Sequence, residues 1–340
     1  MRVAIKSCIF IFMTSLICMG QSSSVSNVAT TSASFLEIGV GARATAMGGA
    51  FVATANDASA MYWNPAGIAP LTNIEAIFVH TNWLAGISYN YAGVIFPVYD
   101  NSALGLNIIS LSTDEMKVRT IDFPEGTGEY FDATSFSLGI TYGMRLTDRF
   151  SMGINLKLIS ERIWKEKSSA FAVDLGTLYN TVIKGLRIGA SLSNFGSDMQ
   201  MSGEDLLVYH DIDQSQTGNN DRIFAEMETD SWPLPLLFQL GVAYDMFDND
   251  FHRLTMEVDA IHPVNNRESL HSGLEYAIRN NYFVRAGYRN LFLPDSEEGL
   301  TLGAGFQLDV DTQLKILIDY AYADFGRLEN TQRFTLGLKF

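Results

Sequence analysis

The last eight residues, Arg333-Phe334-Thr335-Leu336-Gly337-Leu338-Lys339-Phe340, alternate strictly between apolar side chains and polar or small ones. In extended chain, successive side chains point to opposite faces. Phe334, Leu336, Leu338 and Phe340 therefore share one face, and Arg333, Thr335, Gly337 and Lys339 share the other. One strand of this kind suits any half-buried sheet. From residue 74 onward, however, about fourteen segments repeat the pattern, over 74–82, 86–96, 102–112, 130–145, 150–164, 169–179, 185–195, 235–247, 252–262, 269–279, 282–290, 299–309, 312–322 and 332–340.

The inward faces are too polar for a dry core. The segment at 252–262 sets Leu254, Met256, Val258 and Ala260 against Arg253, Thr255, Glu257 and Asp259. The segment at 312–322 sets Leu314, Ile316, Ile318, Tyr320 and Tyr322 against Gln313, Lys315 and Asp319, and that at 185–195 sets Leu186, Ile188, Ala190 and Leu192 against Arg187, Gly189, Ser191 and Ser193. Two acids on one face of a strand are costly in an apolar core unless paired, and cheap in a hydrated lumen. Lys157, Arg187, Arg285, Arg289, Lys315 and Arg333 are the bases available to neutralise Asp174, Glu257, Asp259, Glu275 and Asp319. Only a closed barrel, with lipid outside and water inside, calls for such faces throughout. Trp164, Tyr244, Tyr276, Tyr282, Tyr288 and Tyr322 fall near strand ends, where interfacial girdles belong. The predicted fold class is all-β: a transmembrane antiparallel barrel of about fourteen strands, residues 73–340.

Loop lengths support this. The connections after the even-numbered strands are short, whereas 113–129 and 196–234 are long. Outer-membrane barrels have short periplasmic turns and longer outside loops, and an even strand count is expected to leave both termini on the periplasmic side. The stretch from Gly196 to Trp232 carries nine acids (Asp198, Glu204, Asp205, Asp211, Asp213, Asp221, Glu226, Glu228, Asp230) and one base, Arg222. It reads as a solvated outside loop. The apolar run Leu206–Tyr209 inside it suits packing on a partner or over the barrel mouth.

The N-terminus reads as a leader. Arg2 and Lys6 precede an apolar run from Cys8 to Met19, with Cys18 and Gly20 at the −3 and −1 places of a cleavage before Gln21. Ile17 before Cys18 weakens a lipoprotein reading. Both cysteines lie within residues 1–20, so the remainder offers no disulfide, thiolate metal site or cysteine nucleophile. The chain holds 38 acidic and 23 basic residues, and loss of Arg2 and Lys6 makes it more acidic still. Nucleic acid is excluded as a partner, because phosphate contact needs basic patches.

Residues 21–72 form an N-terminal extension whose part from 34 onward does not alternate. Gly39–Gly49 reads as a short helix closed by the pair Gly48-Gly49. Asn56–Gly67 reads as a second, with Asp57 as N-cap and Asn64-Pro65 ending it. The glycines do not make a dinucleotide fingerprint, since no strand precedes them. A small Ala/Gly-rich segment ahead of a wide barrel suits a plug, in which Arg43 and Glu37 are expected to pair with lumen charges.

At these residues the chain resembles a known family. Phe35–Ala44, Met47–Ala53, Asn56–Ala60 and Tyr62–Gly67, followed by Pro124–Phe131 and Tyr142–Phe150, resemble the PorV/PorQ family of outer-membrane proteins. That family is similar to the FadL-type fatty-acid transporters, whose N-terminal hatch carries an Asn-Pro-Ala motif matched here by Asn64-Pro65-Ala66. The resemblance implies a fourteen-stranded barrel, residence in the outer membrane and a link to type IX secretion. It also implies a translocon or exported client proteins as partners, met through the outside loops. Asn64, Pro65, Ala66, Arg43, Gly48 and Gly49 are then the expected hatch residues, blocking the lumen. The alternative is FadL-like passage of a small hydrophobic solute, with an apolar pocket near Phe51, Met61, Tyr62 and Trp63.

No catalytic set stands out. His80, His210, His252, His262 and His271 lack metal-binding or hydrolase spacing, and His271 projects with Glu275 and Arg279 toward the predicted lumen. Asp211-Ile212-Asp213-Gln214-Ser215 lacks the glycine and distal glutamate of a calcium loop. No enzyme activity, cofactor or metal is expected.

Overall fold

The computed structural model describes residues 27–213, 215, 222–311 and 314–340. The predicted leader, residues 1–20, and Gln214, Asp221 and Gln313 lie outside the described residues. Fourteen strands build the wall: β1 Glu75–Asn82, β2 Ser88–Tyr99, β3 Ser102–Ser112, β4 Ala133–Thr147, β5 Phe150–Ile163, β6 Glu166–Asn180, β7 Leu186–Gly196, β8 Leu237–Asp248, β9 His252–Pro263, β10 Ser269–Ile278, β11 Tyr282–Leu291, β12 Leu300–Asp309, β13 Lys315–Asp324 and β14 Asn330–Lys339. Each pairs antiparallel with its successor, and β14 closes on β1 from Glu75↔Lys339 to Asn82↔Gln332. Closure leaves no free edge, as lipid requires. Along β14, Arg333, Thr335 and Gly337 are buried, while Phe334 and Leu336 are exposed on the outer surface. Leu104, Leu106, Ile108, Leu138, Ile140, Leu156 and Leu158 continue that apolar exterior round β3 to β5. No helix among the described residues is long and apolar enough to cross a membrane; the crossing is made by strands.

Short connections at 100–101, 148–149, 181–185, 249–251, 279–281 and 310–314 gather at one mouth, here the turn side. The long ones, 113–132, 197–236 and 292–299, gather at the other, the loop side. The sorting is by mouth rather than by strict alternation, since β5 and β6 are joined by Trp164-Lys165 alone, with Trp164 at φ +55°. Arg279 is not a lumen residue: it sits with Asn280 in the left-handed pair of a tight turn, over the Phe251 ring at 5.4 Å. Lys315 lies at the turn-side end of β13, 3.5 Å from Asp309, out of reach of the lumen acids.

The acidic connection is partly ordered as sheet. Leu207–His210 pairs with Ile223–Glu226, and Met199–Gln200 pairs with Ser231–Trp232. Tyr209 and Phe224 meet across the first hairpin with ring centres 4.8 Å apart and planes tilted by 42°, both exposed. The apolar run at 206–209 therefore passes from a 3₁₀ turn, Glu204–Leu206, into one strand of this hairpin, with Leu207 and Tyr209 exposed.

The N-terminal segment fills the lumen. Its helices are single turns, α1 Ala42–Ala46 and α2 Ala60–Trp63, with 3₁₀ turns at Ser34–Glu37 and Pro65–Ile68. They are shorter than predicted because Gly41, Gly48 and Gly49 take positive φ around α1, and Asn64 turns extended after α2. Asp57 is not the N-cap of α2. That place belongs to Ser59, and Asp57 accepts from the Ser59 N–H (2.9 Å) and hydroxyl (2.6 Å) in an Asx turn ahead of it.

The segment runs from mouth to mouth. Ser32 N–H donates to Pro233 O (2.9 Å), Ala33 N–H to Glu161 (3.2 Å), and Asn265 donates to Thr31 and Glu37, all at the loop side. At its other end Asn73 donates to Phe340 O (2.9 Å) at the turn side. The barrel strands thus begin and end at the turn side as expected, but the plug carries the described N-terminal end to the opposite mouth. Because the only cysteines are Cys8 and Cys18, this is directly testable. Asn27→Cys should react with a membrane-impermeant maleimide in intact cells, and Asp100→Cys only after lysis. The reverse pattern would invert the orientation.

Candidate functional site

The plug lies on platforms of glycine that the inward faces of the wall provide. Gly143, Gly153 and Gly176 are directly opposite one another on β4, β5 and β6. A Cβ at any of them would overlap the turn that follows α2: Ile68 at Gly143, the Pro65 carbonyl at Gly153, and Asn64 with Pro65 at Gly176. Gly189 and Gly241, opposite each other on β7 and β8, receive Val52 and Ala53 in the same way. Gly273 and Gly287, opposite each other on β10 and β11, receive Met47 and Gly48. Glycine here serves close backbone approach, not flexibility.

Asn64 explains why asparagine and proline follow one another at this point. Its amide donates to Val52 O (2.8 Å) and to Thr177 O on β6 (3.0 Å), and its Oδ1 accepts from Ala66 N–H (3.1 Å), capping the 3₁₀ turn that Pro65 opens. One buried side chain ties two plug segments to the wall. Gly49 N–H returns to Ala44 O (2.9 Å), and with Gly48 closes α1.

Buried charge supplies a second set of ties. Glu275 on β10 accepts Arg43 of the plug (2.8 and 3.2 Å), Arg285 on β11 (2.8 Å) and Arg253 on β9 (3.0 Å); Arg285 also meets Asp319 on β13 (2.5 Å). Arg43 reaches Asp57 as well (3.1 Å) and lies over the Phe51 ring at 5.0 Å. Burial alone would raise the Asp57 carboxyl, but Arg43 and the Ser59 bonds outweigh it and hold it below its ordinary range. Lys157 pairs with Asp174 (2.7 Å). Glu257 and Asp259 have no basic partner within salt-bridge distance among the described residues. Instead Asp259 accepts the Phe51 and Val52 N–H groups (2.9 and 3.1 Å), and Glu257 accepts Ala53 N–H (2.6 Å) and the Thr54 hydroxyl. These two acids grip plug backbone, a role their sequence context did not announce. Arg187 goes to Asp245 (2.8 Å) and Arg289 to Glu298 (3.0 Å), neither to the acids expected. Glu37 meets Asn265 (3.2 Å) instead of a base, and its burial raises its carboxyl above the ordinary range.

The apolar four lie together. Phe51 and Tyr62 both set their rings edge-on to Trp63, at 6.3 and 5.1 Å. Trp63 Nε1 donates to Val40 O (2.8 Å), Tyr62 donates to Leu36 O (2.7 Å), and Met61 is fully buried against the inward faces of Gly93 and Gly105. They are the core of the plug in this conformation. Two cavities bordered by the plug measure about 10 and 20 Å³, room for a water molecule each. His271 lies beside Gly49 and bonds Asn290 (3.1 Å).

Residues 21–205 match the family described as type IX secretion system protein PorV. No curated protein sequence matches the chain. Among solved structures the fold is similar to the CymD monoaromatic hydrocarbon channel (TM-score 0.55, 12% identity, 89% of this chain and 97% of that one). It is also similar to the Pseudomonas putida toluene transporter TodX (0.56, 13%, 88% and 97%) and to a Pseudomonas aeruginosa FadL homologue (0.52, 13%, 88% and 96%). At these identities the likeness is one of fold.

Proposed function

The chain belongs to the PorV family of type IX secretion outer-membrane proteins, and from that premise we propose that it is a docking component whose work is done on its loop-side face while its lumen stays shut. The reading includes export by a cleaved leader, residues 1–20, and no catalytic step. The observation that carries it is the division of the molecule. The lumen is occupied by backbone held at glycine platforms and buried charges, and the two cavities described beside the plug are of water size. On the loop side, the acidic connection carries a hairpin of Leu207–His210 and Ile223–Glu226, with Leu207, Tyr209, Phe224 and the nearby Trp232 exposed. Exposed aromatics on an acidic arm suit a partner protein with apolar and basic surface. Secretion translocons and exported clients are the partner classes that the family implies.

The second reading is passage of a hydrophobic solute, favoured by the likeness to hydrocarbon channels and by the aromatic set Phe51, Met61, Tyr62 and Trp63. It requires those side chains to leave their packed positions. A chromosomal deletion separates the two. Loss of type IX clients from the cell surface and medium, restored by the intact gene and not by one lacking 204–230, supports docking. Unchanged secretion with lost growth on a hydrophobic carbon source would replace it with transport.

A further inference from the structure

The hairpin of the acidic connection carries an open sheet edge. Met227 N–H donates to Leu206 O (2.8 Å), and the ladder continues from Leu207↔Glu226 to His210↔Ile223. In an antiparallel ladder, opposed residues exchange hydrogen bonds only at alternate pairs. Val208↔Ala225 and His210↔Ile223 are therefore the bonded pairs. The N–H and C=O groups of Leu207, Tyr209, Phe224 and Glu226 point away from the ladder. The two edges differ. The chain entering the hairpin is covered at its root, where Ser202 and Gly203 pair with Lys167 and Glu166 on β6 and Asp205 N–H donates to Glu166 (3.1 Å). The returning strand, Ile223–Glu226, has no strand on its outer side among the described residues. Phe224 and Glu226 are exposed, whereas Ile223 and Ala225, on the other face, are half-buried.

Natural sheets blunt such an edge with proline, lysine or a bulge. Residues 223–226 contain no proline and no lysine, and their register is unbroken. A two-stranded ribbon is also marginal in water and gains from a third strand. The charge beside this edge has one sign. Glu226, Glu228 and Asp230 follow along the returning limb, all exposed. Lys165, the base at the root, lies instead toward Glu204 and Asp205 (3.8 and 3.7 Å), and Arg222 lies at the other end of the strand. We propose, on the premise that the loop side docks a partner, that the Ile223–Glu226 edge takes an extended segment of that protein as a third strand. In this segment lysine or arginine alternates with apolar residues. The bases fall on the face of Phe224 and Glu226, where they meet the acids and the aromatic ring. The apolar side chains extend the face of Ile223 and Ala225. The residues opposite Phe224 and Glu226 are the bases, so it is their N–H groups that bond the edge.

The test uses the full-length protein in detergent and a synthetic peptide of alternating lysine and valine. Fluorescence anisotropy of the labelled peptide should show saturable binding, lost when glutamate replaces lysine. N-methylation at the lysines should weaken binding about tenfold or more, since it removes the donors that face the edge, and N-methylation at the valines should not. On the protein, Glu226→Pro removes the outward N–H without breaking the ladder, and Glu226→Gln removes the charge alone. Glu226→Pro should bind the peptide several-fold more weakly than Glu226→Gln. No saturable binding, or any other order of the two methylated series, overturns strand addition. Docking itself is read separately: it falls if cells lacking 204–230 secrete normally, and it stands if secretion is lost while both methylated peptides bind alike.

Discussion

Replacing Gly153 and Gly176 with valine is expected to drive the Asn64-Pro65-Ala66 turn off the wall and convert a closed lumen into a conducting one. At Gly153 the added carbon falls on the Pro65 carbonyl and the Ala66 nitrogen, and at Gly176 on Asn64 Oδ1 and the Pro65 ring. Most of these atoms are backbone or ring and have no rotamer through which to escape. Overpacking a well-packed core costs about 1–3 kcal/mol per site, occasionally more, and two adjacent sites against fixed backbone should fall at or above the top of that range. The barrel wall itself is held by ladders on both sides of β5 and β6 and should survive. The double variant should therefore fold, conduct in planar bilayers, and expose residues 39–72 to added protease. Gly299→Ala is the control, since a Cβ there meets only the Tyr288 ring at 3.6 Å. A double variant that stays closed and protease-resistant would show that the plug can shift within the lumen.

Glu275→Gln should be the most damaging single change to the charge network. The carboxylate receives three guanidiniums, and Glu275 and Arg285 are almost wholly buried. Removing one member of a buried ion pair typically costs about 3–5 kcal/mol, because the partner is left charged and dry. Glutamine keeps the shape, so the loss reports charge. Unfolding midpoints should fall clearly, with the plug released before the wall melts, as seen by loss of protease protection at 39–72. Glu297→Gln is the contrast. Its partner Arg327 is 87% exposed, and the change should be close to silent. Equal effects at the two positions would remove buried charge as the plug's anchor.

The wall was readable because lipid imposes its period on every strand. A residue on β9 or β14 has no choice but lumen or membrane, so Glu257, Asp259, Arg333 and Thr335 were placed from alternation alone, and strand ends fell within three residues of those observed. The plug was less readable. Propensity over 39–49 and 56–67 favours longer helices than form, whereas Gly48, Gly49 and Asn64 are set by contacts with distant strands. Charge partners were half readable. Glu275 and Arg285 are opposite in register, so their pairing follows from the ladder, and Arg43 was expected to find a lumen acid. Glu257 and Asp259 find no base among the described residues, and nothing local in the sequence says that plug N–H groups will arrive to satisfy them. The glycine platforms were present as a signal, in that Gly143, Gly153 and Gly176 occupy inward positions on three successive strands. Their meaning depends on the register that brings them side by side.

The most direct test is the current through the wild-type protein reconstituted in a planar bilayer. A membrane barrel filled from mouth to mouth by its own N-terminal segment should give a flat trace at both polarities, with the same preparation migrating as a folded, heat-modifiable barrel. Ohmic steps from the unmodified protein would mean that the lumen is open and that the plug described here is not its resting state.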